Sequence, residues 1–494
     1  MKQQNSSQRN VLYNLIGLGL PLLVAIYAIP ILINLLGVAR FGILTLIWTV
    51  VSYFGLFDLG LGRAMTQQLA GMWALGESEK EKFLVSAALS IMASLGIGAG
   101  VLLALSAVWF VDHLSGVINR QEIVHAIYAM SVAIPFIILS SGLRGVLEAK
   151  SAFGIVNAIR LPISIYTFLA PIAVIRFCGN NLGLIAISLA IGRIIGCVSY
   201  AWYCRYSFPI LRKWFDVDKY LLKKLLLSGG WMTVSNVISP LIGYLDRFLI
   251  GLVISISAVA YYATPNEMIY KLWIIPGSLM AVLFPHFAKL IILDRLHLVD
   301  LFRRSIMIIF MTIYPISLGI VLFSRDILSL WLGKGFAEHS YHILQIFAFG
   351  ILVNCLAQAP FTLLQAVGRA NTTAKIHAGV FPFYAVILWV WLHSYGLIGA
   401  AIAWLLRILI DTILMFIYAI REIKNIIGHI FSWKYLFATI YTLLTFAELF
   451  INSRELRLLA WLLSVICMYA IFWYVLFRLS DKASLAMSLG RDIK

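Results

Sequence analysis

The sequence predicts an all-α, polytopic integral membrane protein with fourteen transmembrane helices, arranged as two parallel six-helix repeats followed by two further helices. Three observations carry this reading. Of 494 residues, 62% are hydrophobic and only 12% charged, against roughly 25% charged in a soluble domain, which excludes a soluble globular enzyme. Apolar runs return again and again at bilayer length, about 20 residues. Finally, stretches of the first half reappear in the second at a constant distance.

The apolar segments fall at 11–36, 41–62, 83–111, 123–143, 153–175 and 182–203, then at 225–250, 259–287, 305–323, 341–367, 376–395 and 397–420, with a closing pair at 435–451 and 458–477. The first run follows a short polar stretch without a small-residue cleavage site, so it reads as a retained span. Prolines including Pro135, Pro162, Pro171 and Pro276 fall within or close to spans, where each frees a carbonyl and permits a kink. Gly96, Gly98 and Gly100 form a small-residue stripe suited to close helix packing. The five cysteines, Cys178, Cys197, Cys204, Cys355 and Cys467, have no CxxC spacing and read as packed side chains without a metal or disulfide role.

The net charge of +17 needs locating before it is interpreted. With the N-terminus placed in the cytoplasm, 26 of the 38 Lys and Arg residues fall in cytoplasmic segments and 7 in outer ones. That asymmetry is the positive-inside signature of fourteen spans with both ends in the cytoplasm. The excess is therefore an orientation signal, and nucleic acid is not the partner it implies.

The basic stretch 205–224 divides residues 1–204, an N-terminal six-helix lobe, from 225–420, a C-terminal one; residues 421–494 hold the two peripheral helices and a cytoplasmic tail. Leu147-Glu148-Ala149 matches Leu364-Gln365-Ala366, and the opening of span six at Gly183 matches that of span twelve at Gly396. With one residue of slip Arg193 aligns with Arg407, each match being about 215 residues apart. An even number of spans per copy makes the repeats parallel, the arrangement of transporters that rock two lobes about a central site.

A charge at the centre of a membrane helix costs roughly 2.5–3.5 kcal/mol on insertion scales, so it marks function or a partner. The candidates are Asp58, Arg160, Arg193, Asp246, Arg247, Glu267, Lys271, Arg407, Asp411 and Glu448. Arg193 and Arg407 lie near midplane at equivalent places in the two repeats and suit the bidentate geometry of phosphate. Asp411 shares a helix face with Arg407 and either neutralises it or titrates. Glu267 and Lys271 repeat that spacing on span eight, as a site pair or a structural one. Asp246 and Arg247 are about 100° apart around a helix, so one of them is expected to face a cavity. Arg160 is deep for a snorkelling side chain, while Glu448 is expected to be interfacial. Arg193, Arg407, Arg160, Lys271 and Arg247 are thus the substrate-binding candidates; Asp58, Asp246, Glu267 and Asp411 are those for charge pairing or for coupling to H+ or Na+.

No P-loop, HExxH or GxSxG occurs, and Asp216-Val-Asp218, a DxD pair, lies in a short basic linker with no room for a catalytic domain. Catalytic residues, a metal and a cofactor are not expected.

Four stretches are recognisable: YFGLFDLGLGRAMTQQLA (53–70), LRGVLEAKSAFGIVN (143–157), YLDRFLIG (244–251) and the run from Val259 to Leu290. Through them the chain resembles the polysaccharide transporter family, and within it the Wzx-type O-antigen flippases. The resemblance implies a fold shared with multidrug and toxic-compound exporters, two lobes around a cationic cavity, and ion-coupled antiport. It implies as substrate an oligosaccharide on undecaprenyl pyrophosphate, moved to the periplasmic leaflet of a bacterial inner membrane, with a polysaccharide polymerase and a chain-length regulator as partners. The motif residues matched are Asp58, Arg63, Arg144, Glu148, Asp246, Arg247, Glu267 and Lys271. Two readings compete: a cation-coupled drug exporter of the same superfamily, which Arg160 and Arg193 weigh against, and an integral-membrane glycosyltransferase or polymerase, for which the loops are too short.

Overall fold

A computed structural model of the chain describes the backbone at residues 2–56, 78–114, 119–150, 152–207, 230–423 and 453–489, at seven positions between 61 and 72, and at 445. Most of the basic linker and of span thirteen, the start of span seven, and Asp58, Arg63, Asp216, Asp218 and Glu448 lie outside the described residues.

Every regular element among the described residues is helical, as expected where no water is available to satisfy the backbone of a lipid-exposed strand edge. The helices are α1 (Lys2–Leu56), α2 (Ser78–His113), α3 (Arg120–Ala149), α4 (Phe153–Cys178), α5 (Leu182–Ser207), α6 (Gly230–Val253), α7 (Ile256–Tyr270), α8 (Ile274–Leu293), α9 (Arg295–Leu332), α10 (Lys334–Ala366), α11 (Ala370–Glu422) and α12 (Arg454–Leu489). Nine helical stretches among the described residues are long and apolar enough to cross a bilayer.

Some of these stretches hold more than one predicted span. Gly37, at φ +76°, interrupts α1 between spans one and two, and Gly396, at φ +59°, interrupts α11 between spans eleven and twelve. Positive φ costs a side chain that glycine does not carry, so both reversals fall where the sequence supplies glycine. A third interruption lies at Phe323 in α9. None of the three is at a proline, although prolines were the expected kink sites.

Span eight, expected as one helix over 259–287, is broken. A 3-10 turn, Lys271–Trp273, separates α7 from α8. Pro276 offers no N–H to the carbonyl of Leu272, and the Ile274 N–H tightens instead onto the carbonyls of Lys271 and Leu272.

The chain forms two compact units: residues 1–263 with 381–397, and residues 264–380 with 398–494. In the first, α2 packs on α3, α3 on α5, and α1 on α4. Gly96 and Gly100 permit the α2–α3 approach: a Cβ on either would come within 2.6 Å of Pro135 Cα or the Ser131 carbonyl oxygen. Gly98, between them, faces open space. One corner is knitted by charge: Arg40 donates to Glu122 Oε2 (3.0 Å) and to the Asn180 carbonyl (2.7 Å), and Glu122 Oε1 accepts the Leu182 N–H (2.5 Å).

In the second unit α9 packs on α10 and α8 on α10. Trp404, fully buried, sits where a Cβ on Gly350 would collide with it; it packs edge-on against Phe347 (4.8 Å) and donates Nε1–H to Tyr270 Oη (3.1 Å). Helix α12 lies along α9, with Arg457, Trp461 and Tyr469 donating to the carbonyls of Leu322, Pro315 and Met311. Large apolar side chains such as Leu102, Leu105 and Trp109 on α2, and Ile195, Val198 and Trp202 on α5, stand exposed. An apolar exterior of this kind faces lipid. Of the cysteines, Cys197, Cys204 and Cys355 are buried and Cys178 and Cys467 exposed, all free.

Candidate functional site

The first unit holds three of the predicted groups. Arg193 lies in the middle of α5, partly exposed, and donates to Thr167 Oγ1 on α4 at 3.0 Å. That hydroxyl is itself held by the Ile163 carbonyl one turn earlier (2.8 Å). Among the described residues no carboxylate pairs with Arg193. A guanidinium carries five donors, so one hydroxyl leaves most of its capacity for something else.

Arg160, on α4, is half-buried and lies within electrostatic reach of Arg144 and Glu148 on α3 and of Tyr200 on α5. Just outside the spans, burial pushes the Lys150 ammonium below its ordinary value while Glu81, at the start of α2, pulls it back up.

Asp246 and Arg247, on α6, are both buried, at 2% and 4% exposure, against the expectation that one faces a cavity. Each turns to a different neighbour. Asp246 accepts from Tyr262 Oη (2.8 Å) and from the Arg247 N–H (2.8 Å), while Arg247 Nη1 donates to Thr49 Oγ1 (3.1 Å) and the guanidinium lies over the Tyr244 ring at 5.2 Å. One fixed carboxylate and one fixed guanidinium thereby tie α1, α6 and α7 together inside this unit.

The second unit holds the rest. Glu267 and Lys271 face each other at 3.8 Å, each nearly half exposed, at the 3-10 break between α7 and α8. Arg407 and Thr412 are buried on the second arm of α11. Asp411, one turn beyond Arg407, meets His377 from the first arm: His377 Nδ1 lies 3.0 Å from Asp411 Oδ1, a close polar contact without hydrogen-bond alignment. His377 was not singled out in the sequence. Its only signal there is a lone histidine at the start of an apolar run, and the contact spans two helix arms that reverse at Gly396.

Helices with lipid-facing exteriors and arginines set within their spans define a class: the multi-pass membrane proteins. The chain belongs to the family described as "Polysaccharide biosynthesis protein", whose model matches residues 7–291. All four stretches on which the family resemblance rests lie inside that match. A Shigella flexneri protein carrying the name "Putative O-antigen transporter" is 32% identical over 409 residues, 82% of this chain and 96% of its own length. The "Lipopolysaccharide biosynthesis protein WzxC" of Escherichia coli (strain K12) is 21% identical over 419 residues, 83% of this chain and 78% of its own.

Among solved structures, the fold is shared with an inward-facing multidrug resistance MATE family transporter of the MOP superfamily, at a TM-score of 0.70 and 13% identity, over 84% of this chain and 98% of that one. It is shared also with the lipid II flippase MurJ, at 0.67 and 14%, over 94% of this chain and 100% of that one.

Proposed function

We propose that the chain is a flippase for lipid-linked oligosaccharide, carrying an O-antigen or related repeat unit on undecaprenyl pyrophosphate from the cytoplasmic to the periplasmic leaflet of a bacterial inner membrane. The observation that carries the reading is Arg193: a guanidinium in mid-helix, partly exposed, whose described partner is a neutral hydroxyl. A membrane span tolerates such a cation where an anion comes to meet it. A lipid pyrophosphate is the anion that the O-antigen names of the relatives suggest.

On this reading the architecture is two parallel six-helix repeats plus two peripheral helices, fourteen spans in all, with both termini cytoplasmic. Arg193 meets the head group, Arg407 holds the matching place in the second repeat, and the lipid tail stays in the bilayer while the head group passes. Alternating access is driven by antiport of H+ or Na+. Asp411, close to His377 across the two arms of α11, is the carboxylate assigned to the coupling ion on this reading. Lys271 and Glu267 stand at a helix break, a feature used elsewhere to place polar backbone at membrane depth. A polysaccharide polymerase and a chain-length regulator are the proposed partners downstream.

The test is reconstitution. Protein in liposomes loaded on one leaflet with an undecaprenyl-pyrophosphate oligosaccharide should render the sugar accessible to a lectin on the other leaflet, faster under an imposed H+ or Na+ gradient. No transfer with either gradient, from protein that complements nothing in a flippase-deficient strain, would remove the proposal.

A further inference from the structure

Where α3 ends and α4 begins, the first unit gathers cations that the midplane site does not use. Arg144 and Glu148 are one turn apart near the end of α3, Arg160 is seven residues into α4, and Tyr200 is seven residues before the end of α5. At 1.5 Å per residue all four sit roughly 2 to 10 Å inside their helix ends, and α3 packs on α5 and α4 on α5. Arg160 lies within electrostatic reach of Arg144, Glu148 and Tyr200, and Tyr200 of both arginines.

Among the described residues the cluster carries more positive than negative charge. Arg144 Nε is 3.5 Å from Glu148 Oε1 yet makes no hydrogen bond, and both side chains are 38% exposed. No hydrogen bond or ion pair from Arg160 is made to a described residue. Tyr200 Oη donates to the Val156 carbonyl at 3.3 Å, one turn before Arg160 on α4. Among the described residues two guanidiniums therefore share one carboxylate, on helices whose Leu143, Val146, Leu147 and Val156 belong to the buried apolar core of this unit. Like charges so placed repel, and the repulsion grows as water thins. A further anion relieves it, and one with two linked phosphates can engage both forks at once.

We propose that Arg144 and Arg160 form a loading subsite for the diphosphate head group of a polyprenyl lipid, within the first unit and at the cytoplasmic ends of α3 to α5, with Glu148 as the internal anion the head group displaces. This rests on the flippase reading and deepens it: the head group is gathered at the interface before it reaches Arg193. The subsite needs no residue of the second unit. The same chemistry would be offered by the phosphodiester of an acidic phospholipid, so the experiment separates the two.

Full-length protein in phosphatidylethanolamine nanodiscs is titrated with undecaprenyl pyrophosphate and, separately, with phosphatidylglycerol. The R144Q/R160Q variant should bind undecaprenyl pyrophosphate roughly ten- to hundredfold more weakly, the scale of one or two charge-assisted hydrogen bonds. R144K/R160K should fall between, since it keeps charge and loses the fork. Glu148→Gln should bind about two- to threefold more tightly, because the competing carboxylate is gone; a purely structural ion pair predicts no gain. This variant also keeps the test decisive if the arginine variants fail to fold. Unchanged diphosphate binding in R144Q/R160Q, or no gain in Glu148→Gln, overturns the subsite while leaving the flippase reading standing. So does a loss confined to phosphatidylglycerol. Failure of the wild-type protein to bind undecaprenyl pyrophosphate overturns both.

Discussion

Arg193 and Arg407 occupy matching places in the two halves of the sequence, but their surroundings are opposite in kind. Arg193 is partly exposed and rests on a threonine hydroxyl, whereas Arg407 is buried one turn from an aspartate that itself meets a histidine. The first unit adds Arg144 and Arg160 around a single glutamate; the second adds Glu267 and Lys271, one of each sign. Cations at matching places in the sequence are thus met by different neighbours in the two units. Among the described intramembrane groups, the first unit's excess of guanidiniums suits it to holding an anion, whereas the second unit sets its cations beside carboxylates.

The strongest effect expected lies in neither arginine. Arg247 is buried, and truncating it loses a charge-assisted hydrogen bond to Thr49 and the packing of a large side chain, together about 3–5 kcal/mol. Arg247→Ala should therefore lower the amount of folded protein in the membrane and its melting temperature in detergent, whatever the substrate. Wild-type stability in this variant would show that the network is not what joins α1, α6 and α7.

Next in size is Arg193→Ala. Losing charged hydrogen bonds to a bound anion costs about 1.5–3 kcal/mol, roughly a ten- to hundredfold fall in transport, with normal insertion because Thr167 is left with its own carbonyl partner. Arg193→Lys should recover part of it. If Arg193→Ala supports normal surface polysaccharide while Arg407→Ala does not, the contrast between the two halves is reversed.

The pairing of Asp411 with His377 should appear as a coupling of up to about 1 kcal/mol in a double-mutant cycle on stability, the upper range for ion pairs that are not sealed from solvent. Asp411→Asn should also weaken the response of transport to an imposed gradient more than it weakens exchange without one. An Asp411→Asn variant driven as well as wild type would place the coupling elsewhere.

Much of this architecture was legible in the sequence, and the limits have physical causes. Helix length, outward apolar faces and the reversals at Gly37 and Gly396 follow from composition and from glycine's freedom at positive φ. Arg193 stood out because it lies near midplane at a place that Arg407 matches in the second half of the sequence. The fate of Asp246 and Arg247 was hidden, because periodicity gives their angle on α6 and cannot reveal that Tyr262 and Thr49 come from two other helices to meet them. The contact of His377 with Asp411 was hidden for the same reason. Arg144 was visible only as a motif residue; that it lies beside Arg160 depends on how α3, α4 and α5 converge.

The smallest expected effect tests the balanced half from its exposed end. Glu267 and Lys271 are one turn apart at 3.8 Å and nearly half exposed, so their attraction is worth about 0.2–0.5 kcal/mol, close to the detection limit of a thermal shift. Exchanging them, in a Glu267→Lys/Lys271→Glu variant, should leave stability nearly unchanged and preserve the local charge sum. Transport should then survive the exchange if the pair serves only to hold the 3-10 break, and should fall several-fold if Lys271 faces the passing head group, because the cation moves one turn along the helix, about 5.4 Å. The first result would confine anion recognition to the cation-rich half and sharpen the contrast between the two units; the second would extend recognition across both.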